Sequence, residues 1–241
     1  MTWLRPLLTM VFVAIAVPSV MRQCRKPGRW IGRPFLWSMN HSHSALTDWG
    51  LGHLRIEKGF HILDVGCGGG RTIEKLAALA PEGRVCGVDY SAGSVAASRA
   101  KNARMVAAGR VEVREAPVSR LPYPDRAFDL VTAIETHYYW PDPPGDLREV
   151  RRVLKPGGTV IVIAEAYNTG SRGRLQQAAM RPLGVALMSP DEHRAWLVAA
   201  GFEEVQVFEE RGKGWLCVSG RLPALEQSTI GAQARPGVAA E

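Results

Sequence analysis

Nine residues from Ile62 to Gly70, reading ILDVGCGGG, limit what this chain can fold into more than any other stretch. A short apolar run, His61 to Val65, carries Asp64 near its end and then meets glycines at alternate positions, Gly66, Gly68 and Gly70. Beyond them Ile73, Leu76, Ala77 and Ala80 recur at intervals of three and four, which predicts a helix over Thr72 to Ala80, closed by Pro81 and Gly83. Strand, glycine loop and helix in that order form the opening unit of a doubly wound sheet, where ligands bind at the carboxyl edge of the strands. Glycines there let the chain turn sharply and approach a ligand with no Cβ in the way.

The same alternation continues to the far end. Asn40 to Leu54 reads as a preceding helix, with Leu46, Trp49, His53 and Leu54 near one face. Strand Val85 to Val88 and helix Ser91 to Val106 follow the loop unit, then strand Val111 to Arg114, a loop holding Pro117, Pro122 and Pro124, and strand Phe128 to Ile134. Asp146 to Leu154 is a predicted helix, Pro156 to Gly158 a turn, and Thr159 to Glu165 a continuous apolar strand. Pro190 to Ala200 gives the last helix, capped by Gly201, before strands Val205 to Phe208 and Trp215 to Ser219 around a Gly212 to Gly214 turn. Strands this apolar are buried on both faces. The predicted fold is α/β, a Rossmann-like doubly wound seven-stranded mostly parallel sheet with an antiparallel C-terminal hairpin strand.

Length and composition agree with one domain: 241 residues, 46% hydrophobic and 22% charged, exclude a disordered, collagen-like or coiled-coil chain. The net charge of +7 sits mostly in the first sixty residues, where eight Lys and Arg face Asp48 and Glu57 alone. That is a basic arm rather than a basic domain, and no nucleic-acid partner is expected from it. We divide the chain into a hydrophobic and basic arm (1–39), a folded domain (40–222) and a tail (223–241) whose Ala, Gly, Gln and Pro lack periodicity, as in disordered segments. In the arm, Leu7 to Val17 is too short to span a bilayer comfortably and is followed by basic residues from Arg22 to Arg33. Three readings stay open: a start upstream of a true beginning at Met21, a membrane-surface anchor through residues 7–33, and a cleaved export signal, the last disfavoured by Pro18, Val20 and Met21. The cytoplasm is the expected compartment, with peripheral membrane association if the arm is an anchor. Cys24, Cys67, Cys86 and Cys217 form no C-x-x-C pair, and His41, His43, His53 and His61 lack partners at ligand spacing, so neither a disulfide scaffold nor a metal is expected.

The glycine loop can be sorted among nucleotide-binding types by counting. A G-x-G-x-x-G dinucleotide fingerprint would need its third glycine at Arg71 or at Ile73, and no Gly-Lys-Ser or Gly-Lys-Thr follows for a triphosphate. What remains is D-x-G-x-G-x-G with Asp89 at the end of the next strand, where a carboxylate can accept both hydroxyls of a ribose. The ligand read from this is of adenosine type, without a pyrophosphate.

With these residues in place, the stretch from about Asn40 to Leu222 resembles the class I S-adenosylmethionine-dependent methyltransferases, of the small-molecule type related to quinone and sterol methylases. Besides Asp64 to Gly70 and the Val88, Asp89, Tyr90, Ser91 segment, the family's LPFPDxxFD motif is matched by Leu121 to Asp129, and its LKPGG turn by Leu154 to Gly158. The resemblance implies a S-adenosylmethionine cofactor whose methionine end lies at Asp64, Gly66, Gly68 and Gly70, with Cys67 packing beside the loop. It implies that Asp89, with Tyr90 after it, takes the ribose. Many relatives carry an acidic residue for the adenine amino group where this chain has Pro117, so another group is needed, and the Val118 backbone is the candidate.

Methyl transfer from a sulfonium needs a nucleophile held in line with the methyl carbon, and no acid or base is chemically obligatory. The acceptor-side candidates emerge after the fourth strand as Glu135, Thr136, His137, Tyr138, Tyr139 and Trp140. His137, with Glu135 and Tyr138, is the catalytic candidate, as a general base for a hydroxyl or thiol acceptor; the competing role for His137 is packing. Asn40, His41, His43 and Trp49 from the N-terminal segment, and Glu165 and Tyr167 after the fifth strand, are further lining candidates. The expected activity is methyl transfer to a small-molecule acceptor at oxygen, carbon or nitrogen. A S-adenosylmethionine-binding protein without catalysis is the alternative, and a RNA methyltransferase ranks lower for want of an RNA-binding module or an Asn-Pro-Pro-Tyr type motif.

Overall fold

A computed structural model describes residues 44–165, 167–169 and 187–224. The basic arm, Asn40, His41, His43 and the tail from residue 225 onward lie outside the described residues. The elements run α1 (Ser44–Leu51), β1 (His61–Val65), α2 (Arg71–Leu79), β2 (Arg84–Asp89), α3 (Ala92–Lys101), α4 (Ala103–Ala107), β3 (Val111–Glu115), β4 (Phe128–Ile134), α5 (Pro143–Val153), β5 (Leu154–Ala164), α6 (Pro190–Ala199), β6 (Glu203–Glu210) and β7 (Trp215–Arg221).

Seven strands form one sheet in the order β3-β2-β1-β4-β5-β7-β6. Pairing is parallel from β3 through β5, whereas β7 lies antiparallel between β5 and β6, so a single strand runs against the rest. The fold read from sequence is the fold observed. Along β1 the side chains alternate: Ile62 joins a core with Leu46, Ile73, Leu76 and Val95 of α1 to α3, while Leu63 joins a second core with Leu147, Val150, Val153 and Leu197 of α5 and α6. Helices on both faces explain why the strands are apolar throughout.

Three local differences from the sequence reading have physical causes. The helix expected to run from Ser91 to Val106 divides at Asn102, whose side chain turns back to donate to the carbonyls of Gly70 (2.9 Å) and Ser98 (2.9 Å). Pro156 to Gly158, expected as a turn, lies within β5, which begins at Leu154 and absorbs the irregularity as a register shift opposite Phe128 to Leu130. Helix α5 begins three residues early, at Pro143, because proline suits a first helical position and the buried Asp146 accepts from the Asp142 N–H (3.0 Å).

The order of the strands reverses between β1 and β4, which places the switch point of the sheet directly at the ends of these two strands. Asp64 pairs with Thr132 across that boundary and with Gly87 on the other side.

Candidate active site

The glycine loop turns around its own backbone. Gly66 and Cys67 both donate to the Val88 carbonyl (2.8 and 3.0 Å), so the loop is pinned to the end of β2 before it enters α2. Gly66, Gly68 and Gly70 all have positive φ. At Gly70 a Cβ would sit 2.4 Å from Ser98 Oγ and 2.6 Å from Asn102 Nδ2, so this glycine serves close packing against α3. At Gly68 a Cβ would meet nothing within 4 Å, so space is kept open beside the backbone at that point. Gly66 faces the end of β4, where a Cβ would strike Thr136 Oγ1.

Two carboxylates flank the loop. Asp89, at the end of β2, is 8% exposed and accepts from the N–H of Gly68 (3.0 Å) and of Ser91 (2.9 Å). Burial raises its carboxyl, and these two N–H groups pull the other way. Asp64 is 2% exposed; its Oδ1 accepts from Thr132 Oγ1 (2.7 Å), and its Oδ2 is buried with no hydrogen-bond partner among the described residues. Desolvation pushes its carboxyl up to about 7, with Thr132 opposing and the charge on Asp89 adding to the rise. An orphaned, buried carboxylate oxygen is a place prepared for a donor, and a cationic one would relieve the desolvation best.

A cavity of about 190 Å³ opens beside Asp89, walled by Val65, Gly66, Val88 and Tyr90 on one side, Ala116 to Val118 on the second, and Thr136 with Tyr139 to Pro141 on the third. Val118 heads a three-residue 3-10 turn, Val118–Arg120, so its N–H has no partner within that turn. Pro117 offers no N–H, and Ser119, the next side chain, is already bonded to Asp146 (2.6 Å). A mostly apolar cavity with the Asp89 carboxylate in its lining and the unpartnered Asp64 oxygen beside the loop fits a ligand with a purine, a ribose and an amino-acid end.

The expected cofactor residues therefore separate. Gly66, Asp89, Tyr90 and Val118 line the cavity, while Asp64 and Gly68 stand beside it along the loop. Cys67 turns away: its thiol is buried against Ser98 Oγ (3.9 Å), and burial, with the charges of Asp64 and Asp89, pushes it far up, which leaves it unreactive.

The acceptor-side candidates separate too. Glu135 has φ 55°, an uncommon backbone state for a residue other than glycine, right at the end of β4. Its carboxylate accepts from the Glu165 N–H (2.5 Å) and from Tyr138 Oη (2.8 Å), tying the ends of β4 and β5 together. Burial and the nearby Glu135 push the Tyr138 phenol well up, so it stays a neutral donor. His137 does not line the cavity. It is 2% exposed, held below the usual imidazole range by desolvation, and faces His193 of α6 across 2.8 Å. Its neighbours Thr136, Tyr139 and Trp140 line the cavity in its place, while Glu135 and Tyr138 stand outside that lining as well. Trp49 stacks edge-on with His53 and against Trp215, packing α1 onto the β6–β7 hairpin. Glu165 and Tyr167 border a second, polar cleft of about 830 Å³ with Asp191, Glu209, Arg211 and Lys213.

Thr132, Asn102 and His193 act on the site without having been legible as site residues. Thr132 sits mid-strand among apolar neighbours, Asn102 inside a helix, and His193 over fifty residues from its partner. No group of three or more His, Cys, Asp or Glu suited to a metal occurs among the described residues, and none of their helices is long and apolar enough to cross a membrane.

Residues 63–162 match the family model described as a methyltransferase domain. Among curated relatives, the chain is 32% identical over 171 residues to a 27-O-demethylrifamycin SV methyltransferase of Amycolatopsis mediterranei, covering 69% of this chain and 62% of that one. It is 37% identical over 111 residues to an ubiquinone/menaquinone biosynthesis C-methyltransferase of Geobacter sulfurreducens, covering 46% of this chain and 43% of the relative. The chain thus spans less than two thirds of the length of either. Among solved structures, a SAM-dependent methyltransferase from Aquifex aeolicus superposes with a TM-score of 0.62 at 20% identity, over 78% of this chain and 97% of that one, which speaks for the fold.

Proposed function

We propose that this chain, a member of the methyltransferase-domain family through residues 63–162, transfers a methyl group from S-adenosylmethionine to a small-molecule acceptor. The observation that carries this reading is the pair of buried carboxylates around one glycine loop, Asp89 at the cavity and Asp64 with an oxygen awaiting a donor. The relatives' names, as methyltransferases of rifamycin and of quinones, support the acceptor class.

Asp89 accepts the ribose hydroxyls on lone pairs not used by Gly68 and Ser91. Asp64 takes the cationic amino group, with Thr132 orienting the carboxylate. The Val118 N–H meets a ring nitrogen of the adenine, in place of the acidic side chain that Pro117 supplants, and Tyr90 covers the nucleoside. When bound, the cofactor supplies a methyl on a sulfonium, a leaving group that needs no protonation, so positioning can provide most of the rate. Glu135 is held rigidly by Glu165 and Tyr138 at the acceptor side, and orients the acceptor's nucleophilic group by accepting its proton or its hydrogen bond. If the segment 7–33 is a membrane-surface anchor, an apolar acceptor at that surface is the favoured class, and deleting residues 1–20 then shifts the protein from the membrane to the soluble fraction; no shift would overturn that reading.

The test is calorimetric titration with S-adenosylhomocysteine, beside NAD and an Asp89→Ala variant, followed by transfer of labelled methyl into a metabolite pool. Binding of the homocysteine ligand alone, weakened at least tenfold in the variant, is expected. Binding without any labelled product would favour a non-catalytic binding protein, and no binding by a folded sample would overturn the reading.

A further inference from the structure

Helix α6 meets the segment that walls the cavity with two side chains, His193 against His137 and Trp196 against Trp140. Its start is fixed by a capping box, in which Ser189 Oγ accepts from the Glu192 N–H (3.2 Å) and Glu192 accepts from the Ser189 N–H (2.6 Å). One turn on, His193 Nδ1 lies 2.8 Å from the Ser189 carbonyl, and His193 Nε2 lies 2.8 Å from His137 Nε2. Trp196, on the same face, donates Nε1–H to the Pro143 carbonyl (3.1 Å) and packs edge-on against Trp140, ring centres 5.6 Å apart.

These contacts determine where the protons are. A carbonyl oxygen can only accept, so His193 carries its hydrogen on Nδ1. A neutral His193 then presents a bare Nε2, which accepts from Nε2–H of His137, and His137 keeps a bare Nδ1 that is buried without a partner among the described residues. The bond exists in this one arrangement of tautomers. A proton added to the pair, at the bare His137 Nδ1 or at the Nε2···Nε2 contact, would bury a positive charge where His193 is 0% and His137 2% exposed.

We propose that His137 and His193 form a neutral positioning pair that holds the Thr136–Pro141 wall of the cofactor cavity closed, and that acid releases this wall. The proposal rests on the cofactor reading above for its functional consequence, though not for the pairing itself. His137 opens the 3-10 turn His137–Tyr139, and the residues on either side of it, Thr136 and Tyr139 to Pro141, form one wall of the cavity. Burial depresses both imidazoles. Among the described residues, burial lowers His193 while the Ser189 carbonyl and then Glu192 of α6 raise it, and the charge acting on His137 is that of His193, with the neutral Tyr138 edge-on at 5.1 Å. From α5 the pair's surroundings receive the Pro143 carbonyl, through Trp196. With folded values below the ordinary 6.5, the closed wall is fully populated above that pH and is lost progressively as pH falls below it, when the open form gains protons the closed form refuses.

Two measurements test this on the full chain. Nitrogen-15 spectra of the imidazoles, without any ligand, should show at pH 7.5 one neutral Nε2–H and one neutral Nδ1–H tautomer that are lost together with a midpoint below 6.5; two exposed-like histidines titrating independently near 6.5 in their place would overturn the pairing. Affinity for S-adenosylhomocysteine is then compared between pH 7.5 and 5.5 in the wild type, His193→Gln and His193→Leu. Glutamine offers a neutral oxygen to His137 at every pH, so His193→Gln should bind within about threefold of wild type at pH 7.5 and lose at least fivefold less affinity on acidification, roughly the linkage of one removed proton site. His193→Leu, which strands the His137 N–H, should bind about tenfold more weakly at pH 7.5. Titration of Asp64 is common to all three and cancels in the comparison. Equal pH profiles in wild type and His193→Gln, or wild-type affinity in His193→Leu, would overturn the proposal. Failure of the wild type to bind at all would instead strike the cofactor reading and leave the tautomer result standing.

Discussion

Replacing Asp64 by asparagine should make the ligand-free protein more stable while removing its affinity for the cofactor. Asp64 is 2% exposed, receives one hydrogen bond from Thr132, and titrates at about 7 in place of 3.8. Because the folded value is the raised one, the unfolded chain gives up this proton first. The resulting loss of stability begins above pH 3.8 and is complete above about 7. Its full size is about 4 kcal/mol. Asparagine cannot ionise and keeps an oxygen for Thr132, but it brings buried amide hydrogens whose incomplete bonding costs about 1–3 kcal/mol. The net gain at pH 8 is therefore about 2 kcal/mol, or roughly 4–8 °C in melting temperature for a domain of this size. At pH 4.5 the wild-type penalty is about 1 kcal/mol, so the advantage vanishes. Melting curves of both proteins at pH 8 and pH 4.5, with and without S-adenosylhomocysteine, provide the assay. A variant no more stable than wild type at pH 8, or equally favoured at both values, would refute the claim that burial of this carboxylate is uncompensated. A variant that keeps the ligand-induced rise in melting temperature would refute its role toward the amino group.

Other perturbations separate binding from folding in the same loop. Gly68→Ala should fold with a loss of about 1 kcal/mol, since its Cβ enters open space at positive φ, yet weaken S-adenosylhomocysteine binding more than tenfold; Gly70→Ala, which collides with Ser98 and Asn102, should lower the melting temperature by more than 5 °C. Thr132→Val removes the donor that restrains Asp64, so the pH below which cofactor affinity falls should move upward from about 7, read by calorimetry between pH 6 and 9. Arg110 donates to the carbonyls of Ala77 (3.2 Å), Ala80 (2.9 Å) and Gly83 (2.9 Å), so Arg110→Ala should destabilise the end of α2 by about 1–3 kcal/mol in chemical denaturation and leave calorimetric affinity unchanged.

The order of elements, the sheet's single reversed strand and the glycine loop were readable from the chain because each depends on short-range rules. Apolar period, turn residues and glycine placement act over a few residues, and Asp89 is found by counting from Gly70 to the end of the next strand. Tertiary structure decided the rest. Whether a carboxylate is orphaned depends on what lies across the sheet, so Asp64 became unusual only when β4 brought Thr132 to one of its oxygens, the other having no partner among the described residues. His137 carries the same imidazole at an exposed strand end as in a buried wall; its direction was set by α6, whose His193 arrives from 56 residues away. Chemistry at a fixed spacing along the chain is local, whereas burial and partnership are properties of the packed fold, and it is these that assign each side chain its protonation and its part in the site.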